Sequence, residues 1–164
     1  MLVLSAEQAV PLKPEWLSTT RLQARAEHSL AIAGGVRLLL SAKGGAIAGD
    51  LPPYEAFPIG GTNSVRGYDE GMVGSGRKFA VASAELHVPL VAPLAGVLFA
   101  DAGGDLESGH TVLGEPGSTR GKPGSGAGAG AGVRVDSPVG PLRLEYALSD
   151  RGVRRFHFGI GSAG

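Results

Sequence analysis

The side chains that most often carry chemistry are few and scattered in this sequence. Four histidines, His28, His87, His110 and His157, lie far apart. Cysteine is absent, so there is no thiolate nucleophile and no cysteine-based metal site. Glu85 and His87 would share one face of a strand and could form a metal pair, but a solvated or ion-paired polar face is the more ordinary arrangement. We therefore predict no catalytic residue, no metal site and no cofactor.

Glycine-rich segments do not complete a nucleotide-binding or hydrolase motif. Gly121-Lys122 is followed by Pro123 and lacks the upstream glycine of a phosphate-binding loop. No G-x-S-x-G nucleophile elbow occurs. Basic and acidic residues are balanced at 15 each, so no net charge attracts nucleic acid. An enzyme is thus the least favoured class, and no nucleic-acid partner is expected.

The composition restricts the elements that can position these side chains. Glycine accounts for 28 of 164 residues, or about 17% against a usual level of about 7%, and there are 11 prolines. Glycine costs a helix interior about 1 kcal/mol relative to alanine, and proline interrupts helices more severely. The sequence therefore excludes a helical bundle.

Alternation of polar and apolar residues with a period of two is the strongest pattern in the chain, and it predicts β-strands. Seven strands are predicted, with a truncated eighth at the N-terminus and little helix. The seven are Arg21–Leu30, Val36–Lys43, Phe79–Val88, Leu94–Gly103, Gly126–Asp136, Pro141–Ser149 and Arg155–Gly161, and the eighth is Leu2–Val10.

The predicted strand Gly126–Asp136 is unusual because glycine and alanine alternate from Gly126 to Gly132. Such a tract could stack like silk or serve as a flexible linker. It could equally form a smooth strand face against which another element presses. The residues alone leave these three interpretations open.

The lengths of the connections indicate how the strands are arranged. Ala33–Gly35, Pro89–Pro93 and Ser137–Gly140 are short, whereas 49–76 and 104–125 are long. Short turns at one end and long loops at the other are typical of an up-and-down antiparallel meander, as in outer-membrane barrels. The alternative is a soluble β-sandwich or adhesin-like binding module, whose charged face would be wet. The low aromatic content, 5%, is unusual for a membrane barrel.

One segment in the longest loop directs the interpretation to a family. Gly60-Gly-Thr-Asn-Ser-Val-Arg-Gly-Tyr68 resembles the V-R-G-Y/F loop motif of the BamA superfamily, the outer-membrane protein-assembly and translocation barrels. Further segments resemble the family in the same order along the chain. They are Ala82–Pro89, Val97–Gly103, Gly132–Tyr146 and Arg155–Gly161.

Two other segments are most similar to the chloroplast outer-envelope branch of that family. They are Pro52-Pro-Tyr-Glu-Ala-Phe-Pro-Ile-Gly-Gly61 and Lys122-Pro-Gly-Ser-Gly126. The branch holds the import channel of the TOC complex and an eighty-kilodalton paralogue, of which the paralogue is the better match. The resemblance implies location in the chloroplast outer envelope, with the bacterial outer membrane as the alternative.

The resemblance covers roughly residues 11 to 161 and implies an all-β fold that is the C-terminal part of a sixteen-stranded transmembrane barrel. Residues 1–164 would supply seven or eight strands, with long loops 49–76 and 104–125. The loop motif Val65, Arg66, Gly67 and Tyr68 would fold into the barrel lumen, where Arg66 would meet Glu85 and Asp101. Glu85 falls on the polar face of its predicted strand, and Asp101 falls on the face of its strand that would align with that polar face.

The resemblance also implies a non-enzymatic function in the insertion or translocation of proteins. The expected partners are membrane lipid and client or partner β-barrel polypeptides. Because seven or eight strands are about half of the family's wall, the chain is also expected to pair with a missing barrel half, to associate with itself or to close as a small plugged barrel. On this basis the chain alone is not expected to be a working pore.

Overall fold

The computed structural model describes residues 1–9, 18–114, 121–138 and 140–160. Ten strands occur in this part of the chain. They are β1 (Leu2–Ala9), β2 (Thr19–Ala31), β3 (Arg37–Gly49), β4 (Phe57–Ile59), β5 (Gly74–Gly76), β6 (Lys78–Pro89), β7 (Leu94–Gly104), β8 (Ser125–Val135), β9 (Leu142–Ser149) and β10 (Arg154–Ile160).

Eight of these strands form one antiparallel sheet in the order β1-β2-β3-β6-β7-β8-β9-β10. Each strand pairs with its neighbour along the chain, and the small hairpin of β4 and β5 lies within the connection between β3 and β6. The predicted all-β up-and-down meander is confirmed, including its eighth, N-terminal strand. The eight long strands make one continuous sheet rather than two packed sheets, so the sandwich alternative is wrong.

Most strand boundaries agree closely with the sequence pattern, and β3 differs for a clear reason. The alternation stops at Lys43, where Gly44 and Gly45 follow, but the pairing with β2 continues to Gly49 opposite Thr19. Backbone hydrogen bonds extend the strand although its side chains no longer alternate. Asp136 lies just beyond β8, and the predicted ends Val10 and Gly161 lie outside the described residues.

The short strands β4 and β5 were not predicted within the connection 49–76. Each has three residues, and β4 contains Pro58, which lacks a backbone N–H for pairing. Such short segments are too brief to show a period of two. The 3-10 turns Pro53–Glu55 and Gly109–Thr111 are the helical elements of the described part. None of the helices found there is long and apolar enough to cross a membrane.

The two faces of the sheet have the opposite character from those of a soluble protein. In β9 the charged residues Arg143 and Glu145 are 5% and 2% exposed, whereas Leu144 and Leu148 are 50% and 46% exposed. We call the face that contains Arg143 and Glu145 the loop face, because residues 57–76 cover it, and the opposite face the bare face. Apolar side chains outside and charged side chains inside are the arrangement that a membrane barrel requires.

The buried apolar side chains lie between the loop and the sheet. Phe79 of β6 contacts two clusters, one formed mainly by the loop and Val81, the other by the ends of β3 and β4 with Val112. A third cluster lies on the loop face of β7 and β9. Their buried members are Ile59, Val65, Tyr68, Val73 and Val81; Ile47, Leu51, Phe57 and Val112; and Val97, Phe99 and Ala147. Apolar burial therefore stabilises the docked loop as well as the sheet.

Candidate functional site

A tight turn aims the motif Val65–Tyr68 at the sheet. Gly61 donates its backbone N–H to the Val65 carbonyl at 3.1 Å, and Gly60 donates to Ser64 Oγ at 3.2 Å. The side chain of Val65 is fully buried in a cluster with Ile59 of β4, Val73 and Val81 of β6. With Val65 fixed in this way, the next residue, Arg66, points into the loop face, where it is 3% exposed.

Arg66 and Asp101 of β7 form a two-pronged ion pair. Arg66 Nε lies 2.7 Å from Asp101 Oδ2, and Nη2 lies 2.8 Å from Oδ1. The backbone N–H of Arg66 also donates to Oδ2 at 3.1 Å. Ser83 Oγ of β6 donates to Oδ1 at 2.6 Å. This geometry uses the planar fork of arginine, which the single ammonium group of lysine does not reproduce.

Two further carboxylates contact the same guanidinium group. Arg66 Nη1 lies 2.7 Å from Glu85 Oε1 on β6 and 3.0 Å from Glu145 Oε1 on β9. The guanidinium carbon also lies 3.6 Å from the ring centroid of Phe99, a cation–π contact. Arg66 therefore connects three strands of the sheet, β6, β7 and β9, at one point.

The surrounding charges keep the Arg66 guanidinium ionised although it is buried. Burial alone would lower its pKa, but the hydrogen bond and charge of Asp101, with the charges of Glu145 and Glu85, more than offset this effect. The pKa of Arg66 is therefore raised above its usual range.

On the other side of the cluster, His87 Nε2 lies 2.8 Å from Glu85 Oε2. Since these residues pair with each other and no cluster of three or more metal-binding side chains occurs among the described residues, we find no candidate metal centre.

Gly67 and Tyr68 fit the surface next to the arginine. Gly67 has a φ of +98°, a conformation that favours glycine, and an added Cβ would lie 2.9 Å from the backbone nitrogen of Ser149. The Tyr68 hydroxyl makes a short hydrogen bond to Asp150 in the β9–β10 turn. Burial and this bond raise the pKa of Tyr68, and the same bond lowers the pKa of Asp150.

The loop also contacts the last strand, β10. His157 Nε2 lies 3.0 Å from the backbone nitrogen of Gly67, and His157 Nδ1 lies 3.0 Å from Thr62 Oγ1. At the protein surface, Arg155 forms an ion pair with Asp69 at 2.6 Å. The loop therefore reaches from β6 to β10 across the loop face.

The glycines of β8 provide the space beneath the loop. A Cβ at Gly128 would overlap the backbone carbonyl oxygen of Arg66, and one at Gly126 would lie 2.9 Å from the Tyr68 ring. The alanines of the repeat point to the bare face, where Ala129 and Ala131 are exposed. The tract is a regular strand of the sheet with Arg66 and Tyr68 of the loop against its glycines, which agrees with the interpretation as a smooth strand face.

The structure brings together the sequence-derived residues Arg66, Glu85 and Asp101, with Val65, Gly67 and Tyr68 on either side of the arginine. Sequence reasoning missed Glu145 and His157 as loop contacts. Both lie on the polar side of well-alternating strands, so the pattern identified their face. It could not show that the loop extends as far as β9 and β10, because that depends on the loop's path.

Comparisons with known proteins agree with this architecture. The family model of the Omp85 superfamily domain matches residues 1–163. Chloroplastic outer envelope protein 80 of Oryza sativa subsp. japonica is 59% identical over 98% of this chain, and that of Arabidopsis thaliana is 55% identical over 98%. These matches cover 24% and 22% of the two relatives. Protein TOC75-3 of Arabidopsis thaliana is 38% identical over 74% of this chain and 15% of its own length.

A solved structure shows the same fold. BamA from Haemophilus ducreyi lacking POTRA domains 1-3 superimposes with a TM-score of 0.68 at 17% identity, covering 97% of this chain and 36% of BamA. The open eight-stranded sheet is thus a partial barrel.

The chain spans about a quarter of the length of outer envelope protein 80. The resemblance inferred from the loop motif is confirmed, as is the location in the chloroplast outer envelope. The chain belongs to the Omp85 superfamily.

Proposed function

We propose that this chain forms the C-terminal part of an outer-envelope barrel that inserts or passes polypeptides without enzymatic catalysis. In this proposal residues 1–164 are one part of the barrel wall, with loops 49–76 and 104–125 at the same end. The motif Val65–Tyr68 lies inside the lumen and ties the wall strands together. The observation that carries the proposal is the buried ion cluster of Arg66 with three acids from three strands.

The charge distribution across the sheet supports a lumen on the loop face. The charged side chains Arg66, Asp101 and Glu145 would be very costly in lipid, but they pair with one another beneath the loop. On the bare face, large apolar side chains such as Phe156 and Phe158 are 75% and 64% exposed. Membrane lipid is the partner that this face fits.

The ends of the sheet support a wall completed by further strands. β1 and β10 are its two edge strands, and each pairs on one side within the described residues. Unpaired backbone groups are costly in lipid because no water reaches them. A missing barrel half, or a second copy of the chain, would supply the pairing. Client β-barrel polypeptides are the proposed substrates.

Insertion of a client barrel tests the proposal directly. The native polypeptide that carries this sequence is reconstituted into liposomes, and an unfolded, radiolabelled client β-barrel is added. The protease-resistant fraction of the client is then measured with wild type, Arg66→Ala and Arg66→Lys. We expect Arg66→Ala to reduce insertion about tenfold or more, because breaking a buried ion cluster costs about 3–5 kcal/mol. Arg66→Lys should restore part of the activity, since it keeps the charge but not the fork.

Arg37→Ala is the matched control, because Arg37 is an exposed arginine at the beginning of β3. This variant should insert the client as well as wild type does. Equal insertion by Arg66→Ala and wild type, with the protein correctly folded, would contradict the proposed role of the loop. Failure of the wild type to insert any client would contradict the proposed function itself.

A further inference from the structure

The loop is held to the edge of the sheet by a histidine that the motif does not include. His157 lies in the middle of β10, is 7% exposed, and stands directly opposite Glu145 in the pairing with β9. Its two ring nitrogens contact two different parts of the loop, Gly67 and Thr62. No other side chain of β10 reaches the loop from a buried position in the described structure.

The donor and acceptor roles at this contact determine the form of the imidazole. The backbone N–H of Gly67 can only donate, so His157 Nε2 must accept and cannot carry a proton. The remaining proton of the neutral ring then lies on Nδ1, which donates to Thr62 Oγ1. A protonated ring would be a donor at both nitrogens, and its Nε2–H would face the N–H of Gly67.

β10 is one of the two strands of the described sheet that pair on one side only. It pairs with β9 alone in the described residues and forms one edge of the sheet. Two other loop contacts also hold the β9–β10 hairpin, from Tyr68 to Asp150 and from Asp69 to Arg155. Both contacts lie near the β9–β10 turn, whereas His157 contacts the loop from the middle of β10.

We propose that neutral His157 is a positioning residue that couples docking of the Val65–Tyr68 loop to the placement of edge strand β10. Protonation of His157 breaks the Gly67 contact and weakens the attachment of β10 to the loop. This inference goes beyond the proposed function and holds whichever polypeptide the barrel handles.

Several charged groups lie around the ring and influence whether it is protonated. Acidic groups on β9, on β7 and in the loop favour the protonated ring, while burial and the guanidinium group of Arg66 oppose it. On β9, Arg143 lies next to Glu145. Arg155 lies two residues away on the same strand, with its guanidinium paired to the loop. The groups are Glu145, Arg143, Asp101, Arg66, Glu70 and Arg155.

Hydrogen exchange of the native polypeptide in lipid nanodiscs tests the proposal. Exchange of the segments 60–70 and 154–160 is measured by mass spectrometry from pH 5 to pH 8, after correction for the intrinsic exchange rate. In the wild type both segments should be protected at pH 8 and lose protection together as the pH falls. In His157→Phe, which keeps a ring but removes both hydrogen bonds, both segments should exchange about tenfold faster at pH 8.

His157→Gln is the variant that separates the proposal from a general structural role. Its amide offers an acceptor for Gly67 and a donor for Thr62, but it does not titrate. In His157→Gln we expect both segments to be protected near the wild-type level at pH 8, with no loss of protection at pH 5. This result is informative even if the His157→Phe protein does not insert into the nanodisc. His28→Phe on the bare face of β2 is the control and should keep the wild-type profile. Unchanged exchange in His157→Phe, or a wild-type pH response in His157→Gln, would overturn the proposal.

Discussion

Arg66 is outnumbered by the acids around it, since one guanidinium group contacts Asp101, Glu85 and Glu145. Each carboxylate comes from a different strand, and all are buried beneath the loop. Removal of the arginine would leave these acids close together without a shared cation. The main effect is therefore expected where Arg66 is anchored, in the loop, because the strands keep their own backbone pairing.

Arg66→Ala should loosen the loop more than it unfolds the strands. The Tyr68–Asp69 peptide bond is protected while Tyr68 is buried, so chymotrypsin should cleave it about tenfold faster or more in the variant. Infrared spectra should show that the strand content is retained. Arg37→Ala should be cleaved at the wild-type rate, and simultaneous loss of the loop and the strands in Arg66→Ala would contradict this prediction.

The bond between Tyr68 and Asp150 should make part of the loop's attachment dependent on pH. Because this bond lowers the pKa of Asp150, it stabilises the folded state above about pH 4 and is lost as the pH falls through the lowered pKa. The raised pKa of Tyr68 keeps the phenol a donor on the alkaline side.

Thermal unfolding of wild type and Tyr68→Phe at a series of pH values checks this linkage. The difference in Tm should be constant between about pH 6 and pH 8 and should shrink below about pH 4. Tyr54→Phe changes an exposed tyrosine and serves as the control. A difference in Tm that stays the same into acid would show that the Asp150 carboxylate is not responsible.

At the scale of the element, the glycine side of β8 determines how closely the loop can approach. Gly128→Ala places a methyl group where the carbonyl oxygen of Arg66 lies, so the loop must move away from the sheet. We expect this variant to become sensitive to chymotrypsin at Tyr68 while the Arg66 side chain remains intact. Gly121→Ala is the control, because an added Cβ there meets nothing within 4 Å. Normal protection of Tyr68 in Gly128→Ala would contradict the close approach.

Most of the strands could be predicted from the sequence because they have two chemically different faces, although Leu94–Gly103 is apolar on both faces as far as Asp101. Arg143 and Glu145 alternate with Leu144 and Tyr146, and this pattern requires no knowledge of the neighbouring strands. Which face meets water could not be obtained in this way, since a sandwich and a barrel share the alternation. The family resemblance decided between them.

The candidate site was predictable only in part. The resemblance identified Arg66, Glu85 and Asp101, and the structure brings them into contact. The contacts of Glu145 and His157 depend on how far the loop extends over the sheet. The path of the loop is determined by the turns at Gly60 and Gly61 and by burial of Val65. These are tertiary contacts, and they leave no periodic pattern in the sequence.

At the scale of the whole molecule, the docked loop and the two edge strands both argue against closure of the eight strands into a barrel of their own. A barrel of eight strands has an interior that side chains fill, so it leaves no room for a loop such as 57–76. The sheet is also open, with β1 and β10 at its two ends. A wider wall that includes further strands accommodates both features.

The 164-residue chain by itself should therefore not form a large pore. Purified chain reconstituted into planar bilayers should show no large, stable conductance, because the eight-stranded sheet is only part of a barrel wall. The native polypeptide or a relative with a complete barrel serves as the positive control. Wide channels from strictly monomeric 164-residue chain would refute the prediction.

The glycine–alanine repeat of β8 has one more consequence. A shift of β8 by two residues would replace glycine with glycine and alanine with alanine over most of 126–132, so the repeat itself does not determine the register of β8 in the sheet. The register must be determined by residues at the two ends of the strand. At one end Gly124 donates its N–H to the Val73 carbonyl at 2.8 Å, and at the other Asp136 donates to the Pro93 carbonyl at 3.2 Å. The strand on which the loop rests is thus aligned by residues outside the repeat.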